Sequence, residues 1–200
     1  MRSAIAAVLV LCAVSGPGLA DECRDRFASL LAKGNPDDVA VKTHITQKVG
    51  GAPETRNYNY WDGTGDWMSE MIEPDNIPWS MARGDTLYMS TDKGKSWSKV
   101  RTLDAEQNKE DVDARRAEEA KTVRNTTCGE EEIDGVRYRV VEGDYTSMLP
   151  ITYEHHNKYW LEPDTGWIAR VSYETIGQGI EFSVLQVVER APDLVLPKPE

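Results

Sequence analysis

The chain has 200 residues, 40% of them hydrophobic and 28% charged, with 34 Asp and Glu against 23 Lys and Arg and a formal charge of −11. A mean hydropathy of −0.55 describes a soluble globular chain and excludes a disordered, collagenous or membrane-bundle protein. The acidic balance repels nucleic-acid phosphate and anionic bilayers, and no basic stripe interleaved with aromatics reverses it locally.

Taken in chain order, the first element is a leader. Arg2 precedes an apolar run from Ala4 to Val14, and Pro17-Gly18-Leu19-Ala20 follows it. The run is too short to span ~30 Å of hydrocarbon, and Gly18 and Ala20 present small side chains to a signal peptidase. Residues 1–20 therefore read as a secretory signal peptide, with a mature chain of residues 21–200 and no stable membrane insertion once the leader is cleaved. Losing Arg2 makes the mature chain more acidic still. Cys12 leaves with the leader, so Cys23 and Cys128 remain as an even pair in an oxidising compartment, and a disulfide between them is expected. Closing a loop of about 105 residues would contribute ~4 to 5 kcal/mol in the chain-entropy model.

Cys23, Phe27, Leu30 and Leu31 fall at i, i+4, i+7 and i+8, one stripe of a short helix that Gly34-Asn35-Pro36 ends. The period then changes to two. Val39, Val41, Thr43 and Ile45 alternate with Ala40, Lys42, His44 and Thr46 in a half-buried strand. Strand composition recurs at Asn57 to Trp61, Trp67 to Ile72, Trp79 to Arg83, Thr86 to Met89 and Trp97 to Arg101, with short turns that predict antiparallel hairpins. Between Leu103 and Val123 there is no Gly or Pro, and Ala, Glu, Lys and Arg dominate, which predicts a second helix with thin apolar content. Strands resume after Cys128, at Val136 to Val141, Ile151 to Leu161, Trp167 to Ile176 and Ile180 to Val188. On the last two, Trp167, Ala169, Val171 and Tyr173 share a face, as do Ile180, Phe182, Val184 and Val188. The sum is an α+β, mainly β chain: a large antiparallel sheet of about ten strands whose apolar face the two helices cover.

Ser90-Thr91-Asp92-Lys93-Gly94-Lys95-Ser96-Trp97 matches the Asp-box pattern S-x-D-x-G-x-[S/T]-W. A propeller needs several such blades and this chain has a single copy, so the box reads as a rigid hairpin cap: the aspartate accepts backbone N–H bonds, the glycine supplies an unusual φ and the tryptophan packs beneath. His155 and His156 are adjacent in a strand and point to opposite faces, so no metal-ligand spacing appears. There is no G-x-S-x-G elbow, phosphate loop or C-x-x-C pair, and neither cofactor nor catalytic role is expected.

Several stretches carry a resemblance. Thr46-Gln47-Lys48-Val49, the turn Glu73-Pro74-Asp75 leading to Gly84-Asp85-Thr86-Leu87-Tyr88, and Tyr159-Trp160-Leu161-Glu162-Pro163-Asp164-Thr165-Gly166 followed by Arg170-Val171-Ser172-Tyr173-Glu174 look like segments of the LolA/LppX-like family of periplasmic lipoprotein and lipid carriers. The helix-strands-helix-strands order is similar too. Where LolA itself has an R-P-x-x-F-R-W stretch, this chain has Asp66-Trp67-Met68-Ser69-Glu70. The resemblance implies a single half-barrel domain over residues 21–200 and a periplasmic or secreted, non-enzymatic carrier or sensor. Its ligand would be a lipid, a lipoprotein acyl group or another hydrophobic molecule held on the apolar face of the curved sheet, with an envelope protein as a further possible partner. Candidate lining residues are Phe27, Leu30 and Leu31 on the helix and Trp79, Met81, Leu87, Met89, Trp167, Val171, Phe182 and Val184 on the sheet. The competing expectation is a structural or interaction component of the envelope, using the same sheet with a self-packed core and no ligand.

Overall fold

The computed structural model describes residues 17–103, 105–148, 152–177 and 180–199. Most of the expected leader lies outside them, and Pro17 to Ala20 form the first turn of helix α1 (Pro17–Lys33). The stripe read from sequence is the face this helix buries, with Cys23, Phe27 and Leu31 in the core and Leu30 half-buried against it. Gly34 closes the helix at φ +65°, donating its N–H to the Leu30 carbonyl at 2.9 Å, a left-handed cap that a Cβ would strain.

Six strands follow: β1 (Val41–Val49), β2 (Thr55–Trp61), β3 (Trp67–Glu73), β4 (Trp79–Arg83), β5 (Thr86–Ser90) and β6 (Ser98–Thr102). Helix α2 (Ala105–Ala120) intervenes. Five strands complete the chain: β7 (Arg124–Ile133), β8 (Val136–Met148), β9 (Thr152–Leu161), β10 (Ile168–Gly177) and β11 (Ile180–Arg190). They form one antiparallel sheet of eleven strands in the order β6-β5-β4-β3-β2-β1-β11-β10-β9-β8-β7. Each half is a meander, and pairing of β1 with β11 joins them, with Val41 opposite Arg190 and Val49 opposite Phe182. The sheet stays open. Its edges, β6 and β7, are the strands that α2 connects, and each carries a register shift and a run of charge (Lys99 and Arg101; Glu130 to Glu132), features that hinder pairing with a further chain.

Strand β7 is the eleventh strand, absent from the sequence reading. Its residues Asn125-Thr126-Thr127-Cys128-Gly129 and three glutamates have no apolar alternation, because an edge strand with mostly exposed side chains needs none.

Register divides the sheet into two faces. Val141, Tyr159, Val171, Gln186 and Ile45 are successive cross-strand partners on the face that carries the helices. Lys42, Tyr60, Met68, Met81 and Tyr88 are successive partners on the opposite face. Each face has its own core. On the helix side, Phe27, fully buried at 0% exposure, packs with Leu31, Val141, Tyr145, Tyr159, Ile168 and Val171, its ring edge-on to Tyr159 at 5.5 Å. On the other side Met68 and Met81 pack with Leu196, flanked by Tyr60, Tyr88, Trp97 and Leu194. The segment after β11 is thus part of the fold: Ala191 donates to the Ala40 carbonyl at 2.8 Å and Arg83 Nη1 donates to the Pro197 carbonyl at 2.8 Å.

Two side-chain devices fix α1 at its ends. The expected disulfide is formed: Cys23 in the first half of the helix is bonded to Cys128 of β7, with Cα atoms 5.8 Å apart. Beyond the helix, Asn35 donates from Nδ2 to the Ile168 carbonyl at 3.0 Å and accepts the Ile168 N–H on Oδ1 at 2.8 Å. Helix α2 is held differently. It packs on α1 and β8, and its described residues bring Val112 and Ala120 to a half-buried position but no large apolar side chain into the core.

The hairpin from Ser90 to Trp97 has the expected Asp-box geometry. Asp92 accepts from the Ser96 N–H at 2.9 Å, the Ser96 hydroxyl at 2.6 Å and the Ser90 hydroxyl at 2.8 Å. Gly94 lies at φ +83°, and a Cβ there would fall 2.8 Å from the Trp79 ring.

Candidate functional site

A cavity of about 380 Å³ opens between the helices and the second meander. Leu30, Leu31, Gly34 and Asn35 of α1 and its cap form one wall, Arg115, Arg116 and Glu119 of α2 form the mouth, and β8 to β11 supply the floor. The floor is mixed. Ile168, Val171 and Val188 are its apolar part, while Tyr145, Ser147, His155, Tyr159 and Tyr173 are its polar part.

Period-two geometry puts these polar groups together. Tyr145 lies opposite His155 across the β8–β9 ladder, and Gly143 opposite Asn157, so alternate residues from both strands share the helix side. The His155 ring stacks on Tyr145 at 4.6 Å between centroids and bridges two hydroxyls, Ser147 Oγ at 2.7 Å from Nε2 and Thr175 Oγ1 at 2.7 Å from Nδ1. Burial lowers its pKa, which favours the neutral ring. Burial also pushes the phenols of Tyr145 and Tyr173 up to about 12 and raises that of Tyr159, so all three remain protonated donors. Beneath them Asn157 is fully buried at 0% exposure. Its Nδ2 donates to the Tyr159 hydroxyl oxygen at 3.2 Å, while Oδ1 has no partner among the described residues. At the mouth, Arg115 approaches Glu119 at 4.0 Å, and desolvation raises the Glu119 pKa.

The residues expected to line a ligand site divide into groups. Leu30, Leu31 and Val171 line the cavity. Phe27 lies in the packed core beside it. Val184 and Phe182 share its face by register, Val184 opposite Tyr173 and Phe182 opposite Thr175, without lining it. Leu87 and Met89 also face the helix side, but on β5, near the far edge of the sheet, where Met89 is 37% exposed. Trp79 and Met81 belong to the opposite face: Met81 is in the core that Leu196 covers, and Trp79 supports Gly94. Trp167 is displaced by a bulge. The β9–β10 register slips between Ile168 and Arg170, so Ile168 takes the core position beside Val171 and Tyr173 that strict alternation from Trp167 implies. Trp167 instead sits beneath the Arg190 guanidinium, 4.2 Å from the ring centroid.

Sequence reasoning missed the polar lining. The signal was present as the period-two series His155, Asn157, Tyr159 on a strand whose buried face was expected to be apolar. Arg115 and Arg116 carried no such signal, because a solvated helix rich in charge looks the same with or without a cavity under it.

His155 and His156 do point apart, His156 Nδ1 lying 2.7 Å from Asp144 on the other face. Among the described residues no three His, Cys, Asp or Glu side chains converge as a metal site would require, and no helix is long and apolar enough to cross a membrane.

No protein-family model and no curated protein matches this chain. Solved structures similar to it include a LolA superfamily protein from Nitrosomonas europaea, at 11% identity over 88% of this chain and 94% of that one, with a TM-score of 0.33. The Pseudomonas aeruginosa MucA/MucB complex is similar at 14% identity over 86% of this chain and 58% of that one, with a TM-score of 0.45. An outer membrane lipoprotein-sorting protein domain from Vibrio parahaemolyticus matches at 9% identity over 86% and 92%, with a TM-score of 0.34. At these levels the likeness carries no residue's role over to this chain.

Proposed function

We propose that the protein is an exported, non-enzymatic carrier or sensor, periplasmic or secreted, that binds a hydrophobic or amphiphilic ligand such as a lipid or a lipoprotein acyl group. The observation that carries this reading is the cavity of about 380 Å³ between the helices and β8 to β11, within the size range of small-molecule sites. An acyl chain would lie against Leu30, Leu31, Ile168, Val171 and Val188. Burial contributes ~0.8 kcal/mol per methylene, so about eight methylenes give ~6 kcal/mol before the association cost of ~4 kcal/mol or more. The site is therefore suited to a reversible guest.

Entry follows from how the helices are held. Helix α1 is fixed by the Cys23–Cys128 bond and by Asn35 on Ile168, and Phe27 anchors its middle. Helix α2 covers the mouth with Arg115, Arg116 and Glu119, groups that lose little when they swing into water. It is the movable lid.

Organic extraction of the protein purified from the periplasm, followed by mass spectrometry, should recover a bound amphiphile, and the emptied protein should take up a fluorescent fatty acid. A clean extract together with no uptake refutes the carrier. The close packing around Phe27 favours a second reading, an envelope interaction component with no ligand, in which lipids leave the melting temperature unchanged.

A further inference from the structure

The protein is strongly acidic, at −11 overall, yet the mouth of its cavity carries two arginines and one glutamate. Glu119 is positioned to pair with Arg115 at 4.0 Å. Arg116 has no carboxylate within ion-pair distance among the described residues, though Glu119 feels its charge as well as that of Arg115. Arg116 favours the ionised forms of Tyr145, Tyr159 and Tyr173 electrostatically, and at Tyr145 Glu119 opposes it. Those phenols still keep their protons, because burial outweighs the arginine. The Tyr159 oxygen already accepts from Asn157 Nδ2, which leaves its own O–H to donate elsewhere. His155 adds no charge while neutral. The cavity lining thus combines a guanidinium and phenolic donors with aliphatic side chains: along the strands Tyr145 and Tyr173 lie to one side of the Tyr159–Val171 pair and Ile168 and Val188 to the other.

Resting on the reading of this cavity as an amphiphile site, we propose that it selects ligands with an anionic oxygen head, a carboxylate or a phosphate, which Arg116 and the hydroxyls of Tyr145, Tyr159 and Tyr173 hold while the chain lies on Leu30, Leu31 and Val171. A cationic head would meet Arg116 directly and be repelled. A neutral alcohol can bond the phenols but leaves the guanidinium to water. An anion accepts from both kinds of donor, and charge-assisted hydrogen bonds are about twice as strong as neutral ones. The long-range field of the chain opposes this choice, so the preference is local and short-ranged.

The test uses the mature protein, freed of bound lipid, and four probes of equal chain length kept below micelle formation: dodecanoate, dodecyl phosphate, dodecan-1-ol and dodecyltrimethylammonium, titrated by calorimetry. The expected result is that at least one of the two anions binds about tenfold or more tighter than the alcohol, with the ammonium weakest. The carboxylate and phosphate arms then separate a free fatty acid from a phosphate-headed lipid as the source of the head. Arg116→Gln should remove the preference by weakening the anions far more than dodecan-1-ol, while Arg137→Gln, at an exposed arginine that does not line the cavity, should retain it. The proposal is overturned if the alcohol binds as tightly as both anions, or if Arg116→Gln keeps the discrimination. Failure of all four probes, the alcohol included, refutes instead the amphiphile reading beneath it.

Discussion

Breaking the Cys23–Cys128 bond is the perturbation whose size the fold specifies most directly. The two cysteines are 105 residues apart, so the bond removes loop-closure entropy from the unfolded chain worth ~4.7 kcal/mol in the chain-entropy model. Domains of this length shift by ~2 to 4 °C per kcal/mol, and the expected fall in melting temperature is about 9 to 19 °C. The bond also crosses between layers. It ties α1 to β7, an edge strand that has only β8 as a sheet neighbour, so reduction should loosen that edge first. Circular-dichroism melts of the wild type with and without reductant, beside Cys23→Ala/Cys128→Ala, measure the effect. Reductant should lower the wild type to near the double variant and leave the variant where it is. A shift below about 3 °C would refute the reasoning, because the covalent constraint would then do almost nothing to the unfolded ensemble.

Other perturbations probe the remaining supports. Asn35→Ala leaves the Ile168 N–H and carbonyl without the side chain that bonds both; a loss of ~2 to 3 kcal/mol is expected in urea titrations, and a loss under ~0.5 kcal/mol would show that α1 does not depend on this clasp. Gly143→Ala places a Cβ 2.8 Å from Thr126 Cγ2 and 3.3 Å from Phe27 Cδ2, so overpacking should cost ~1 to 3 kcal/mol; a neutral result would mean that β7 moves aside freely. Asp92 is held at about 2 by the Ser96 and Ser90 hydrogen bonds, below its unfolded value of ~3.9. A depressed carboxyl stabilises the fold above the unfolded pKa and loses that contribution as pH falls through the folded one. The stability difference between wild type and Asp92→Ala should therefore be level from pH 7 to 5 and shrink from pH 4 to 2; a difference unchanged down to pH 2 contradicts the assignment.

Much of the fold was legible because its strands alternate and its helices are either striped or free of Gly and Pro. The cap at Gly34, the disulfide and the Asp-box hairpin were legible for local reasons, each being settled by a few neighbouring residues or by a count. What failed was long-range. The Trp167 alternation was upset by a bulge that only pairing with β9 reveals, and the segment containing Leu194 and Leu196 offers no periodicity to announce that it covers Met68 and Met81. Of the site, the sequence yielded Leu30, Leu31 and Val171, which sit on apolar stripes. It did not yield Tyr145, Ser147, His155 or Tyr173, whose meeting depends on register between strands.

The same difficulty explains why an apolar pattern alone sets Trp79 and Met81 beside Val171. Alternation tells which residues of one strand share a side, but not which side of the sheet that is once several strands and turns intervene. Here the two halves are buried on opposite faces: helices cover β7 to β10 on one, and the C-terminal segment covers β3 to β5 on the other. On the helix side of the first meander a polar row of Thr43, Asn59 and Ser69, with Asn57 Nδ2 bonded to Ser69 Oγ at 3.3 Å nearby, runs beside the apolar row Val41, Trp61, Trp67, Ala82 and Leu87 and interrupts the apolar surface. A row of amides and hydroxyls offers an acyl chain little gain and leaves polar groups to be desolvated. The second meander differs in what stands over it: residues of α1 and α2 face a floor of Ile168, Val171 and Val188 mixed with Tyr145, His155 and Tyr173, and the cavity lies between these layers.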